Sequence, residues 1–229
     1  MEQDITNSYI QTLSRRLPLE NRQLLEIGCG SGRITRDLAP LCSNVVAVDT
    51  DRRLLEAAER RCANLPVSFH LVSPDHRLPF PKQSFDIVLY SLSLHHIPRK
   101  RMVPHLEMAA SLLRPDGVIA IIEPADGGSF TFAKEYFGAG SGDERKARSH
   151  ALQAIDSLEG WQRSLSVPFD VTWRFDSPDE FITHFIPHWG VMTGRRREEL
   201  LAFLERHRTD QGIILDAGRI LILFTPISP

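Results

Sequence analysis

The sequence predicts an α/β fold: a seven-stranded, mostly parallel sheet with an antiparallel last strand, helices on both faces and a helical lid inserted late. Three observations carry that prediction. Short apolar runs alternate with amphipathic segments through residues 1–125, the pattern of successive β-α-β units. Val45-Val46-Ala47-Val48 is apolar at every position, as a strand covered on both faces requires. After residue 125 strand character lapses, then returns at Phe169–Phe175 and Arg219–Phe224.

The elements follow in order. Leu24–Ile27 is a short strand that ends in glycines, and Ile34–Leu41 reads as a helix stopped near Pro40. Asn44 turns the chain into the Val45–Val48 strand. Asp51–Cys62 is helical, with Leu54, Leu55, Ala58 and Cys62 on one side. Val67–Val72 and Phe85–Tyr90 are the third and fourth strands. Met102, Leu106, Ala109 and Leu113 form a helical stripe that Pro115-Asp116-Gly117 ends, before the fifth strand at Val118–Ile122. Residues 125–167 show no strand; Gly138-Ala139-Gly140-Ser141-Gly142 reads as a flexible joint before a helix bearing Ala147, Ala151, Ala154, Ile155 and Leu158. Phe169–Phe175 alternates strictly, as a one-faced strand does. Ser177, Pro178 and Glu180 fit the N-cap, N1 and N3 positions of a helix. A further helix spans about Arg195 to His207, and Asp216-Ala217-Gly218 turns into the last strand. The whole is expected to be one domain, 1–229, with a ligand-binding core at 22–125 and an acceptor-binding or lid segment at 126–190.

Composition narrows the function. The 229 residues carry 27 Lys+Arg against 29 Asp+Glu, so binding to nucleic acid by a net basic excess is not expected. No stretch reaches the ~20 apolar residues of a membrane span. The acidic, polar start Met1-Glu2-Gln3-Asp4 does not read as a signal or transit peptide. Cys29, Cys42 and Cys62 form no C-x-x-C pair and are odd in number, which suits a reducing, cytoplasmic setting.

Glu26-Ile27-Gly28-Cys29-Gly30-Ser31-Gly32 lies between the first strand and first helix, where open parallel sheets bind nucleotides. Glycines let the backbone turn sharply and let a flat ligand approach. Asp49 ends the second strand, where its carboxylate can accept the ribose hydroxyls of an adenosine over that loop. A dinucleotide fingerprint would be G-x-G-x-x-G; here the third glycine is Gly32 and position 33 is Arg. Glu26 would repel a phosphate but suits an amino group, directly or through water. S-adenosylmethionine, cationic and free of phosphate, fits better than a dinucleotide. The competing reading is a tight turn with no ligand.

Leu25–Gly32, Val46–Asp49, Leu78–Asp86, Leu94-His95-His96-Ile97 and Leu112–Gly117 together resemble the class I S-adenosylmethionine-dependent methyltransferases. The closest likeness is to the small-molecule branch that includes the ubiquinone and menaquinone biosynthesis type. The resemblance implies a Rossmann-like sheet and places Gly28, Cys29, Gly30 and Gly32 under the methionyl and ribose portions. It implies that Asp49 holds the ribose, Thr50 lines the adenine edge, and Ser91 and Leu92 lie beneath the methionine end. The family's adenine-binding acid falls at Pro74, with Asp75 one residue later, so the position belongs to one or the other.

Methyl transfer from a sulfonium needs alignment and desolvation, and a base only when the acceptor must lose a proton. His95 and His96, beyond the fourth strand, and Glu123, ending the fifth, are the candidate catalytic residues, His96 slightly ahead of His95. Each has a plain alternative in loop packing or capping. No metal is expected, because adjacent histidines in an extended loop point apart. Phe130, Phe132, Tyr136, Phe137 and the segment Phe181–Trp189 suit an aromatic or apolar small-molecule acceptor, or else are core. Arg195-Arg196-Arg197 reads as a solvated helix start or a contact for an acidic group. Two rival functions stand beside methyl transfer: a nucleotide-dependent oxidoreductase, and a non-catalytic S-adenosylmethionine-binding accessory or sensor protein.

Overall fold

The computed structural model describes residues 1–73 and 78–227, in two compact units. A two-residue strand β1 (Glu2–Gln3) and helix α1 (Ser8–Arg16) open the chain. Then come β2 (Gln23–Ile27), α2 (Arg33–Leu38), β3 (Asn44–Asp49), α3 (Arg52–Arg61) and β4 (Val67–Leu71). β5 (Phe85–Ser91), α4 (Arg99–Leu112) and β6 (Leu113–Pro124) follow. The remainder is α5 (Ser129–Phe137), α6 (Arg145–Asp156), β7 (Trp161–Phe175), α7 (Pro178–Phe185), α8 (Gly194–Arg206), β8 (Arg208–Thr209) and β9 (Gly212–Pro226).

The larger unit holds Ile10–Glu123, Ala147–Val167 and the chain from Ile220 onward. Its strands run β6-β5-β2-β3-β4, with β9 beside β6 and β7 beyond β9. The pairs β2·β3, β2·β5, β3·β4 and β5·β6 are all parallel. The chain therefore moves outward from β2 to β4, then returns to the other side of β2 as β5. That reversal opens a crevice at the carboxyl ends of β2 and β5, the usual ligand position in such sheets. Leu25, Ile27, Val88, Tyr90, Ile119 and Ile121 fill one face of the core, joined by Leu106 and Ala109 of α4 and Ala151 and Ile155 of α6. Full burial of each large aliphatic side chain contributes roughly 1.5–3 kcal/mol. Asp51 caps α3 by accepting the amides of Arg53 and Leu54 at 2.8 and 3.3 Å.

The smaller unit holds Met1–Tyr9, Pro124–Lys146 and Pro168–Arg219. There β1 pairs antiparallel with β7 and β8 antiparallel with β9. Phe130, Phe175, Phe181, Leu200, Leu204 and Leu215 form its core. Phe130 stacks on Trp173 with centroids 4.7 Å apart, and Phe181 meets Phe175 edge-on at 5.1 Å. Ser177 caps α7 as its sequence implies, accepting the Glu180 amide at 3.2 Å, while Glu180 accepts the Asp176 amide at 2.8 Å.

Four local readings need correction. Pro115-Asp116-Gly117 lies within β6 and marks a break in register: Phe85 pairs with Leu113, but Ile87 already pairs with Val118. Arg114, Pro115 and Asp116 in this break are exposed, where a proline costs no ladder bond, while Gly117 is buried. Asp216-Ala217-Gly218 is likewise inside β9. The span 125–167 does contain strand, because β7 begins at Trp161. The Gly138–Gly142 cluster is a tied turn, since Gly138 closes α5 at φ 70° and the Gly140 amide donates to Phe185 O at 2.7 Å.

Candidate functional site

The candidate cofactor residues within the described part gather at the carboxyl edge of the larger unit's sheet. Gly28, Gly30 and Gly32 have φ of 77°, 54° and 74°, a region that L side chains enter at a cost. The three differ in what a side chain would meet. A Cβ on Gly28 would lie 2.4 Å from Ser93 Cβ, and one on Gly32 would lie 2.8 Å from Ala58 Cβ. A Cβ on Gly30 would meet nothing within 4 Å. The first and third glycines are thus demanded by packing, whereas the middle one leaves open space above the loop. That space leaves the backbone at Gly30 open to close approach.

Asp49 fastens the loop from the next strand. Its Oδ2 accepts the Gly30 amide at 2.7 Å and its Oδ1 accepts the Asp51 amide at 2.9 Å. Each oxygen keeps a second lone pair, so the carboxylate can still receive hydroxyls from a ligand. Thr50 follows, exposed. Asp75 and Pro74 lie outside the described residues, so the adenine-side assignment stays with the sequence.

Glu26 is fully buried, and its oxygens accept hydroxyls from Thr35 at 2.6 Å and Ser91 at 2.5 Å. Burial raises its carboxyl above the ordinary range, and the two hydroxyls work against that rise. Glu26 and Ser91 are thus one hydrogen-bonded unit joining β2 to β5. Leu92 carries φ 59°, a strained value for leucine, and its amide donates to Ile122 O at 2.9 Å. Ser93 then donates to Ile27 O at 2.5 Å, drawing this turn against the glycine loop. Cys29 is buried, and burial followed by the Glu26 and Asp49 charges pushes its thiol far up. It is not a nucleophile.

The three catalytic candidates come together unequally. His95 lies in a short helical turn after β5, buried, with Nδ1 2.5 Å from Glu123 Oε2 and its amide 3.3 Å from Glu123 Oε1. Glu123 is fully buried near the end of β6. Because a carboxylate accepts, Nδ1 carries the hydrogen and Nε2 is the basic nitrogen of the neutral ring. His96 is exposed, its ring 4.1 Å from that of His95. The Glu123 partnership spans 28 residues, so only the register of β5 with β6 could have disclosed it.

In the smaller unit most of the expected acceptor aromatics are core. Phe130, Phe137 and Phe181 are buried, while Phe132 and Tyr136 are each 45% exposed and stacked at 5.1 Å. His188 serves the Phe137 carbonyl at 3.1 Å, and His184 the Glu180 carbonyl at 2.8 Å. The arginine tract staples the fold. Arg196 covers the Tyr136 ring at 3.8 Å and bonds its carbonyl, and Arg197 donates to the Trp189 and Gly190 carbonyls at 3.1 and 2.7 Å.

A family model described as a methyltransferase domain matches residues 25–121, the span from β2 into β6 that carries the glycine loop, Asp49, Ser91 and His95. Residues 25–121 are a methyltransferase domain. Its fold is that of solved methyltransferases. An uncharacterized methyltransferase of Mycobacterium tuberculosis is 32% identical over 114 residues, 50% of this chain and 56% of that protein. The 27-O-demethylrifamycin SV methyltransferase of Amycolatopsis mediterranei is 29% identical over 212 residues, 89% of this chain and 74% of that one. The chain spans about half the length of the first curated relatives it matches. Among solved structures, an S-adenosylmethionine-dependent methyltransferase from Mesorhizobium loti superposes with TM-score 0.52 at 18% identity, over 92% of this chain and 96% of that one. The [4+2]-cyclase SpnF superposes with TM-score 0.59 at 16% identity, over 96% of this chain and 81% of that one. The methyltransferase fold thus also houses other chemistry, and the reaction must be argued from the site. Among the described residues no helix is long and apolar enough to cross a membrane.

Proposed function

We propose that the protein transfers a methyl group from S-adenosylmethionine to a hydroxyl oxygen of a small-molecule acceptor, releasing S-adenosylhomocysteine. The observation that carries this reading is the buried His95–Glu123 pair at the carboxyl edge of the sheet that bears the open Gly30 cradle. The methyltransferase of rifamycin chemistry named above supports an oxygen acceptor by its name and by its match over most of the chain.

S-adenosylmethionine, when bound, supplies an electrophilic methyl on a sulfonium with a good leaving group. Gly28, Cys29, Gly30 and Gly32 would receive it over the loop, Asp49 its ribose and Thr50 its adenine edge. Leu92 would border its methionine end, and the Glu26–Ser91 unit would set the shape and charge there. His95 Nε2 takes the acceptor's hydroxyl proton, and Glu123 holds the ring in the required tautomer and stabilises the imidazolium that results. His96, exposed beside that ring, contributes acceptor contact in this reading. Residues 126–190 serve as the acceptor-binding segment. The protein acts in the cytoplasm.

The test is incubation with isotopically methyl-labelled S-adenosylmethionine and a panel of phenols, enols and alcohols, followed by mass spectrometry. Stoichiometric S-adenosylhomocysteine and a labelled methyl ether are expected. Label on nitrogen, carbon or sulfur, with hydroxyl acceptors inert, would overturn the oxygen assignment.

A further inference from the structure

Within the smaller unit one cation is buried without a counter-charge. Arg219, on β9, is 7% exposed. Its Nε donates to Tyr9 Oη at 2.8 Å and its Nη1 to the Gly218 carbonyl at 2.7 Å, both neutral acceptors. Among the described residues no carboxylate stands within ion-pair distance of it; the other buried or half-buried cations, such as Arg174 and Lys134, have Glu2 and Glu144. Among the described residues Nη2 has no hydrogen-bond partner, and it is not one of the fully buried unpaired atoms, which are Trp173 Nε1 and Arg174 Nε. One edge of the guanidinium is thus unsatisfied and not fully sealed.

Burying a charge without a partner is costly, and an apolar residue of similar volume would remove that cost. The surroundings hold the head rather than neutralise it. The Gly218 carbonyl also accepts the Ala125 amide at 2.9 Å, and a Cβ at Gly218 would lie 2.5 Å from Asp126 O, so the backbone beneath the guanidinium is fixed by close packing. Tyr9 is almost fully buried and meets Phe169 edge-on at 5.7 Å. The Tyr9 ring, itself backed by Phe169, therefore stands against the cation.

We propose that Arg219, oriented by Tyr9 and the Gly218 carbonyl, is a binding site for the carboxylate of a small aromatic acid. A guanidinium fork matches a carboxylate, and one negative charge cancels the one positive charge present. A phosphate dianion would leave an excess charge in the same buried surroundings. The proposal stands on Arg219 and its neighbours and does not depend on the methyl-transfer reading.

The experiment is calorimetric titration of the full chain with benzoate, with neutral benzamide and inorganic phosphate as comparisons, alongside thermal melts of the wild type and Arg219→Met. The wild type should bind benzoate in the millimolar range or tighter, and benzamide and phosphate at least ~10-fold more weakly. Arg219→Met should melt at the same temperature or higher and lose at least ~10-fold in benzoate affinity. No benzoate binding by the wild type, equal binding of benzamide, or a marked fall in the melting temperature of Arg219→Met would each overturn the proposal. The last would mean that the guanidinium serves only to hold the fold.

Discussion

The Gly30 amide donates to Asp49 Oδ2 at 2.7 Å, tying the turn after β2 to the end of β3. One carboxylate thus shapes the cradle and faces whatever enters it. Asp49→Ala should weaken S-adenosylhomocysteine binding by ~1.5–3 kcal/mol, about 10–150-fold, through loss of both roles. Titration calorimetry reads this directly, and unchanged affinity would place the ribose elsewhere.

The three glycines separate stability from binding. Gly28→Ala combines a positive φ with a 2.4 Å approach to Ser93 and should cost about 2–4 kcal/mol of stability. Gly30→Ala has room and should cost only ~1–2 kcal/mol, from its φ of 54°. Its loss of S-adenosylhomocysteine affinity should nevertheless be the larger of the two changes. Denaturant melts paired with binding curves check this; equal effects at both positions would remove the case for an occupied cradle.

His95 and Glu123 should act together. His95→Ala and Glu123→Gln should each lower kcat by roughly 10²–10⁴-fold while leaving S-adenosylhomocysteine affinity unchanged, and the double variant should be little worse than either. His96→Ala should be the milder change. The pH profile of kcat supplies the readout that a structural role would not move: its acidic limb should vanish in His95→Ala.

Acid should find a different histidine. The Tyr90 hydroxyl lies 2.8 Å from His105 Nδ1 under the sheet, and burial lowers the His105 pKa from 6.5 to about 4. Between those values the unfolded chain binds the proton and the folded chain does not, so stability rises with pH across the window. Lowering the pH from 6.5 to 4 should therefore remove about 1–3 kcal/mol at this site. His105→Gln should flatten that part of a stability–pH curve, and an unaltered slope would assign it to other groups.

Legibility in the sequence followed the range of the interactions. The glycine loop, Asp49 and the strands from β2 to β6 were readable because each motif is local and most of the strands carry a short apolar run. The start of β7 was not, because Gln162, Arg163 and Ser164 are exposed and polar, with no alternation to detect. The two-residue strands β1 and β8 fall below any periodic signal. His95 and Glu123 were each visible as residues at strand ends, but their union depends on pairing between strands. The same holds for Arg219 and Tyr9, 210 residues apart. Phe130 and Phe137 looked like a lid because aromatic clusters read alike whether they face a ligand or a core.

The most direct test of the central claim is titration calorimetry of the wild-type chain with S-adenosylhomocysteine and, separately, with NAD. One equivalent of S-adenosylhomocysteine should bind, with NAD showing no heat of association. Saturable binding of NAD with none of S-adenosylhomocysteine would contradict the account.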